Sequence, residues 1–575
     1  MRRAVLAMVL CAAPLLAGPA HAAGGLQERQ SLRAALQTQA GAAGARHVVP
    51  LPLPAPRTGR ATSASTRAEL RRIARSRGPQ RVLVGVKRHS GLPAMRRELE
   101  RLGARPEAFE QIGVLAATVP SGAELVRQLG EDRRVAYIER DDVVRIAADP
   151  LDAVDPVTGL KYTWFYDRVR AADALAAAGG GSRRSIAVLD TGLDTAHPEM
   201  AGRITHTFDT DTRSADVFDV VGHGTFVTGL IAGIDGNGVG GKGVAGNTRV
   251  LAIRASLNGE FNETDLLRGI AFAVNRGADV LNMSLAGDGL HESVARALAN
   301  AFFNDVLPVA ASGNLAARGN PLQFPAAVVG GVRGRPGIGL SVAATRPNGT
   351  VARFSTHNRY VSLAAPGAGR SGCANGVLSA LPANGGTDWD KPDSCSRLVP
   401  DPSGARFAYA EGTSFAAPLV SGLAALVWQV EPRLASEQVA QVLTRSARQT
   451  RGRGWNEFTG TGLVDGRAAT RLARTYDVTA PRSRASATRT GSSVFVRLRR
   501  ARDRTERGRE LAGGVTYNLV VSRDGGRDFD PVVSGRRRPF SRSVALRGNR
   551  RNIIVATACD GNGNCGVSRL GSYDP

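Results

Sequence analysis

Gly412-Thr413-Ser414-Phe415-Ala416-Ala417-Pro418 sets a serine among small residues, with the apolar run 419–430 directly behind it. The run predicts a buried helix. A serine at its start holds a hydroxyl beside free backbone N–H groups and the positive end of the helix dipole. Proline just beyond is tolerated in a first turn. Alone, the stretch also reads as a capped helix packed by small residues. Two stretches upstream change that reading. Val188-Leu189-Asp190-Thr191-Gly192 predicts a buried strand ending in an acid, and Gly222-His223-Gly224-Thr225 puts a histidine between glycines at the start of a second helix. Asp, His and Ser in this chain order form one of the known arrangements for nucleophilic acyl transfer.

Around these motifs, strands and helices alternate. Strands are predicted at 185–190, 249–254, 280–284, 307–311 and 340–344, with helices at 223–233, 264–276 and 291–303. That alternation predicts an α/β domain over 149–476, a mostly parallel sheet with helices on both faces. Ahead of it, the order β-α-β-β-α-β over 79–148 predicts a ferredoxin-like α+β domain. Its strands are expected at 81–87, within 109–119 and at 135–146, its helices at 93–102 and 122–129. Behind it, short strands at 493–498, 516–522, 543–546 and 552–557 predict a small β-sandwich over 480–575.

The amino terminus has a basic start, a short apolar run and Ala20-His21-Ala22, the pattern of a secretory signal over 1–23. Residues 24–78 have the Ala/Arg/Pro-rich composition of a disordered linker. No later stretch is expected to approach the roughly 18–20 apolar residues of a membrane span. These features predict a secreted monomer, extracellular or periplasmic in transit. The four cysteines beyond the signal, Cys373, Cys395, Cys559 and Cys565, suit two disulfides in an oxidising compartment. Short loops favour 373–395 and 559–565, and three connectivities are open.

The net charge of +25 is carried by arginine, with about 20 arginines against about 8 acids after residue 480. Aromatics make up only 5% of the chain, and neither a base-stacking pattern nor a basic recognition helix accompanies the charge. A solvated basic surface is expected, with no nucleic-acid partner. Asp560-Gly-Asn-Gly-Asn564 lies between two cysteines and reads as a hairpin tip.

With their flanks, the three motifs resemble the subtilisin-like (subtilase, S8-type) serine proteases, across the whole 149–476 stretch. Ala364-Ala365-Pro366-Gly367 and Gly460-Thr-Gly-Leu-Val-Asp465 add to the likeness; the segment 370–406 departs from it as an insertion expected at the cleft rim. The resemblance implies a serine endopeptidase in which Ser414 attacks, His223 moves the proton and Asp190 orients the imidazole. Val309-Ala310-Ala311-Ser312-Gly313-Asn314 resembles the stretch that supplies an oxyanion amide, which implicates Asn314. The resemblance implies that Ser284, Leu285 and Ala286 bind substrate as an added strand, with Gly313 opposite and Gln323 near the floor of a roomy, uncharged pocket. An apolar or aromatic residue before the scissile bond is expected there. The 79–148 domain resembles the family's inhibitory pro-domain, a partner acting as intramolecular chaperone and inhibitor. That implies a self-processing zymogen, cut within 147–161. The chemistry needs no cofactor. A structural calcium is implied at Glu199, Asp235, Asn237 and Val239, where an ordinary Gly-rich turn is the alternative.

Overall fold

The computed structural model describes residues 64–574 apart from 76–77, 142, 147–162, 236, 238–241, 290, 334–336, 371–375, 387–388, 390–395, 400–403, 451, 453, 503–514, 524–529, 548–550, 561 and 563. The signal segment 1–23 and the pair Cys373 and Cys395 therefore lie outside the described residues. Two compact units are present: Asp142–Tyr476, and a second made of the chain up to Asp141 with Asp477–Pro575.

The unit Asp142–Tyr476 is built on a seven-stranded sheet. Its order is Leu363–Pro366, Leu340–Thr345, Leu307–Ala311, Val280–Met283, Ser185–Asp190, Arg249–Arg254, Ile204–Asp209. Every neighbouring pair is parallel. The middle strands are buried on both faces, which is why they read as continuous apolar runs. The two edge strands were not legible: Ile204–Asp209 is polar and half-exposed, and Leu363–Pro366 is a short Ala-rich piece ending in proline.

Helix Thr413–Val430 runs through the core, with Thr413 to Trp428 buried. Its 18 residues are long and apolar enough to cross a membrane, but 89% of them are buried inside the protein, so it serves as a core helix. Leu419, Leu423 and Leu426 are 0–1% exposed; burying each contributes about 1.5–3 kcal/mol. Two described strands of the insertion 370–406, Val377–Leu381 and Ser396–Val399, pair antiparallel with Arg406–Ala410 in a three-stranded sheet. Ser379 Oγ donates to the Phe226 carbonyl at 2.6 Å, fastening this sheet to helix His223–Ala232.

The α+β domain has the sheet order Glu107–Phe109, Val114–Val119, Gln80–Val86, Val135–Arg140, all antiparallel, with helices Leu92–Arg101 and Gly122–Leu129. This is the expected ferredoxin-like arrangement. Two boundaries need correction. Helix Ala64–Arg75 falls inside the segment read as a linker; its Ile73 is fully buried in the domain core, with Leu70 packed beside it. The strand read as continuous over 135–146 is two: Val143–Ile146 belongs to the other unit, so the domain closes at Asp141 rather than 148. Asp141 is pinned there by the Arg81 guanidinium at 2.8 Å.

The C-terminal region is a β-sandwich. One sheet holds Arg482–Thr490, Ser493–Arg502 and Ser541–Ala545; the other holds Asp530–Arg536, Thr516–Ser522, Asn552–Cys559 and Cys565–Tyr573. Val494, Val496 and Leu498 from one sheet meet Leu519, Val521 and Ile554 from the other in a common core. Cys559 and Cys565 form the expected disulfide at the hairpin tip. Asp560 Oδ1 accepts the backbone N–H of Asn562 and Asn564, and Oδ2 accepts the Asn564 amide, so the loop's own donors occupy its carboxylate.

Candidate active site

All the motif residues gather at the carboxyl ends of the parallel strands, the edge where open α/β sheets hold ligands. Asp190 ends its strand and is fully buried. Its Oδ1 lies 2.7 Å from His223 Nδ1 and also accepts the Thr191 N–H at 2.8 Å. An Nδ1–H aimed at a carboxylate leaves Nε2 as the accepting nitrogen. His223 is fully buried at the first position of helix His223–Ala232. Its ring centroid sits 5.5 Å from that of Phe415, the neighbour of Ser414. Among the described residues, His223 Nε2 and Ser414 Oγ are both buried without a hydrogen-bond partner.

Close approach explains the glycines of these motifs. A Cβ on Gly224 would lie 2.2 Å from the Gly192 carbonyl oxygen, so the loop after Asp190 and the turn at His223 can touch only without side chains. Asp219, which the sequence reading missed, ties the two together. Its Oδ1 accepts Thr191 Oγ1 and the Gly222 N–H, both at 2.8 Å. Its Oδ2 accepts the Thr225 N–H at 2.7 Å and Thr225 Oγ1 at 2.8 Å. Complete burial pushes the Asp219 carboxyl above the usual range, against the pull of these four bonds. The available signal was the spacing Asp219-x-x-Gly222-x-x-Thr225, an acid poised to accept N–H groups of the turn ahead of a helix.

Ser414 stands at the second position of its helix. Pro418, four residues on, has no N–H to give the Ser414 carbonyl. Ser284 supplies the missing donor: its Oγ bonds Ser414 O at 2.7 Å and is itself held by the Asn282 amide at 3.0 Å. Asn314 Oδ1 accepts Thr413 N–H at 3.0 Å and Thr413 Oγ1 at 2.9 Å. This fixes the amide's orientation and leaves Nδ2 buried without a partner among the described residues. A fixed amide donor at a helix N-terminus suits an oxygen that gains negative charge.

Residues 284–286, Gly313 and Gln323 also lie together. Leu285 and Ala286 pair antiparallel with strand Val143–Ile146, whose other edge pairs with Glu260–Asn262. Ser284, Leu285 and Ala286 are all buried. Gln323 is buried between this segment and Gly313, and its amide is bonded to Asp288. Trp389, from the insertion, stacks on Phe226 at 5.0 Å and donates Nε1–H to the Val221 carbonyl at 3.0 Å, one residue before Gly222. Of the other histidines, His197 accepts the Glu199 N–H and packs edge-on against Phe407.

The calcium set assembles only in part. The Asn237 amide reaches Glu199 Oε1 at 3.3 Å, but Asp235 is directed to Lys242 Nζ at 3.7 Å, and Val239 lies outside the described residues. Among the described residues no three His, Cys, Asp or Glu side chains form a metal-sized cluster.

Residues 181–462 match the family described as the subtilase family, peptidase S8. A thermophilic serine proteinase of Bacillus sp. (strain AK1) is 32% identical over 271 residues; the match spans 46% of this chain and 58% of that protein. The alkaline protease of Alkalihalobacillus alcalophilus is 31% identical over 364 residues, spanning 63% of this chain and 80% of that protein. Among solved structures, fervidolysin from Fervidobacterium pennivorans, described as a keratinolytic enzyme related to subtilisin, superposes with a TM-score of 0.56. At 20% identity, covering 86% of this chain and 92% of that one, it supports the fold. With the subtilisin-like sheet and these relatives together, the chain belongs to the subtilase family of serine proteases.

Proposed function

We propose that the protein is a secreted serine endopeptidase, made as a zymogen that processes itself, with Asp190, His223, Ser414 and Asn314 as its catalytic residues. One observation carries the reading: a buried Asp190–His223 pair at 2.7 Å, with the accepting ring nitrogen and the Ser414 hydroxyl both buried and unpartnered beside a fixed Asn314 amide. As Ser414 Oγ attacks the substrate carbonyl carbon, its proton passes to His223 Nε2. Asp190 stays ionised and stabilises the imidazolium. The carbonyl oxygen becomes an oxyanion that Asn314 Nδ2 and the Ser414 N–H can receive at a helix N-terminus. The C–N bond then breaks, with the imidazolium returning its proton to the leaving amine. Water, activated by the same histidine, hydrolyses the acyl-enzyme.

Self-processing is supported by strand Val143–Ile146, which lies between Glu260–Asn262 and Leu285–Ala286 as an extended peptide substrate would. Ile146 pairs with Leu285, next to the Ser284 that touches Ser414. The bond cut in maturation is therefore sought within 147–161, towards its beginning. The α+β domain before Asp141 would act as inhibitor and folding partner, and the signal-like residues 1–23 support export. A calcium at Glu199 and Asn237 would need oxygen ligands beyond these two side chains, and no step of the reaction runs through it.

Ser414→Ala, expressed beside the wild type, tests the reading. The variant should accumulate as full-length precursor without peptidase activity. A variant that matures normally contradicts it.

A further inference from the structure

Gln323 occupies the space between the two segments that flank Ser414. On one side, Gly287 and Phe324 exchange a pair of N–H···O bonds of 2.9 Å, which ties the residue after Gln323 to the end of the 284–287 segment. On the other, Gln323 Cγ and Cβ lie 2.5 and 2.9 Å from where a Cβ on Gly313 would stand, one residue before Asn314. The side chain is 3% exposed, and its Nε2 donates to Asp288 Oδ1 at 2.5 Å. Asp288 itself is exposed at the surface.

The 284–286 segment is the edge along which a peptide is added as a strand, and Ser284 touches Ser414. A side chain projecting from that peptide beside Ser414 thus points between 284–286 and Gly313. We propose that Gln323, pinned by Asp288, plugs this pocket, so that the enzyme accepts a short side chain (Gly, Ala or Ser) before the scissile bond and disfavours a large one. This rests on the protease reading above. By this proposal the room that an apolar or aromatic residue would need beside Gly313 is taken by the buried Gln323 side chain. A phenyl ring could enter only by displacing Gln323 from Asp288, which leaves the buried glutamine amide without its partner. Discrimination by pocket volume of this kind reaches about 10- to 200-fold.

The test uses the matured enzyme and two peptide series identical except for alanine or phenylalanine before the scissile bond, with kcat and KM measured separately. The wild type should favour alanine by about tenfold or more in kcat/KM. Gln323→Gly should move the phenylalanine-to-alanine ratio upward by at least about tenfold. Asp288→Ala, a surface change that unpins the glutamine, should move the ratio the same way by less. A wild type that cleaves the phenylalanine peptide as well as the alanine one overturns the plug. So does a ratio unmoved in both variants. A protein that cleaves neither peptide and is not labelled by a fluorophosphonate overturns the protease reading, and the pocket assignment with it.

Discussion

The central parallel sheet and strand Ser493–Arg502 of the C-terminal sandwich treat polar residues in opposite ways. In the sandwich, strand Ser493–Arg502 alternates: Val494, Val496 and Leu498 are buried, while Arg497 and Arg499 face water. A solvated arginine there costs little and carries little information about function. Strands of the parallel sheet are covered on both faces, so a polar side chain at their ends must be paired or costs free energy. Asp190, Asn282, Ser284 and Asn314 all sit at that edge, nearly or fully buried, and each is tied to another polar group. The contrast teaches where to look: buried, interlinked polar groups at the carboxyl edge of the parallel sheet mark the candidate site, whereas the arginine surplus marks a surface.

Substitutions can break this contrast or sharpen it. After Ser414 itself, the largest effect is expected for Asn314→Ala, which on the proposed function removes an oxyanion donor held next to Thr413 and Ser414. Losing one oxyanion donor costs about 100- to 1,000-fold in kcat, a magnitude measured in subtilisin itself, and KM should change little. Asp219→Asn comes next. It cannot accept four donors as a carboxylate does, so the His223 turn should loosen and kcat fall by about 10- to 100-fold, as small misplacements of catalytic groups do.

That variant also has a pH signature. Because the folded protein holds the Asp219 carboxyl above its ordinary range, the stability linked to its proton is fully present below the unfolded-state value of 3.8. It is lost as pH rises through the folded value. Chemical denaturation across that window should show the loss in the wild type and its absence in Asp219→Asn.

A smaller effect follows from Trp389→Phe, which keeps a ring on Phe226 but removes the donor to Val221. A severalfold fall in kcat is expected, with KM retained. At the bottom of the scale, Arg497→Gln with Arg499→Gln should change unfolding free energy by less than about 0.5 kcal/mol and leave kcat/KM unchanged. A large catalytic effect from this pair would erase the distinction between the two regions.

The same contrast explains what could be read from the chain. The central strands were legible because double burial makes them continuous apolar runs. The motif residues of the candidate site stood out because each lies next to glycines or small residues that close packing demands. Strand Arg482–Thr490 was not, since Arg-Ser-Arg-Ala-Ser-Ala-Thr-Arg-Thr offers no apolar face; it is held by pairing with Ser493–Arg502. Helix Ala64–Arg75 was hidden by a composition that also suits a linker, and its evidence is the burial of Ile73. Trp389 acts through partners distant in sequence, which local pattern does not encode, and Asp219 left only the weak signal of its spacing to Gly222 and Thr225. Val143–Ile146 read as the end of one domain's strand because nothing local marks the passage into the other unit.

The most direct measurement of the central claim is covalent labelling of the matured protein by a fluorophosphonate, with the adduct located by mass spectrometry and its rate compared in His223→Ala. The account predicts a single adduct on Ser414 that forms far more slowly without the imidazole. An adduct on another residue, or a Ser414 adduct formed equally fast in His223→Ala, would contradict it.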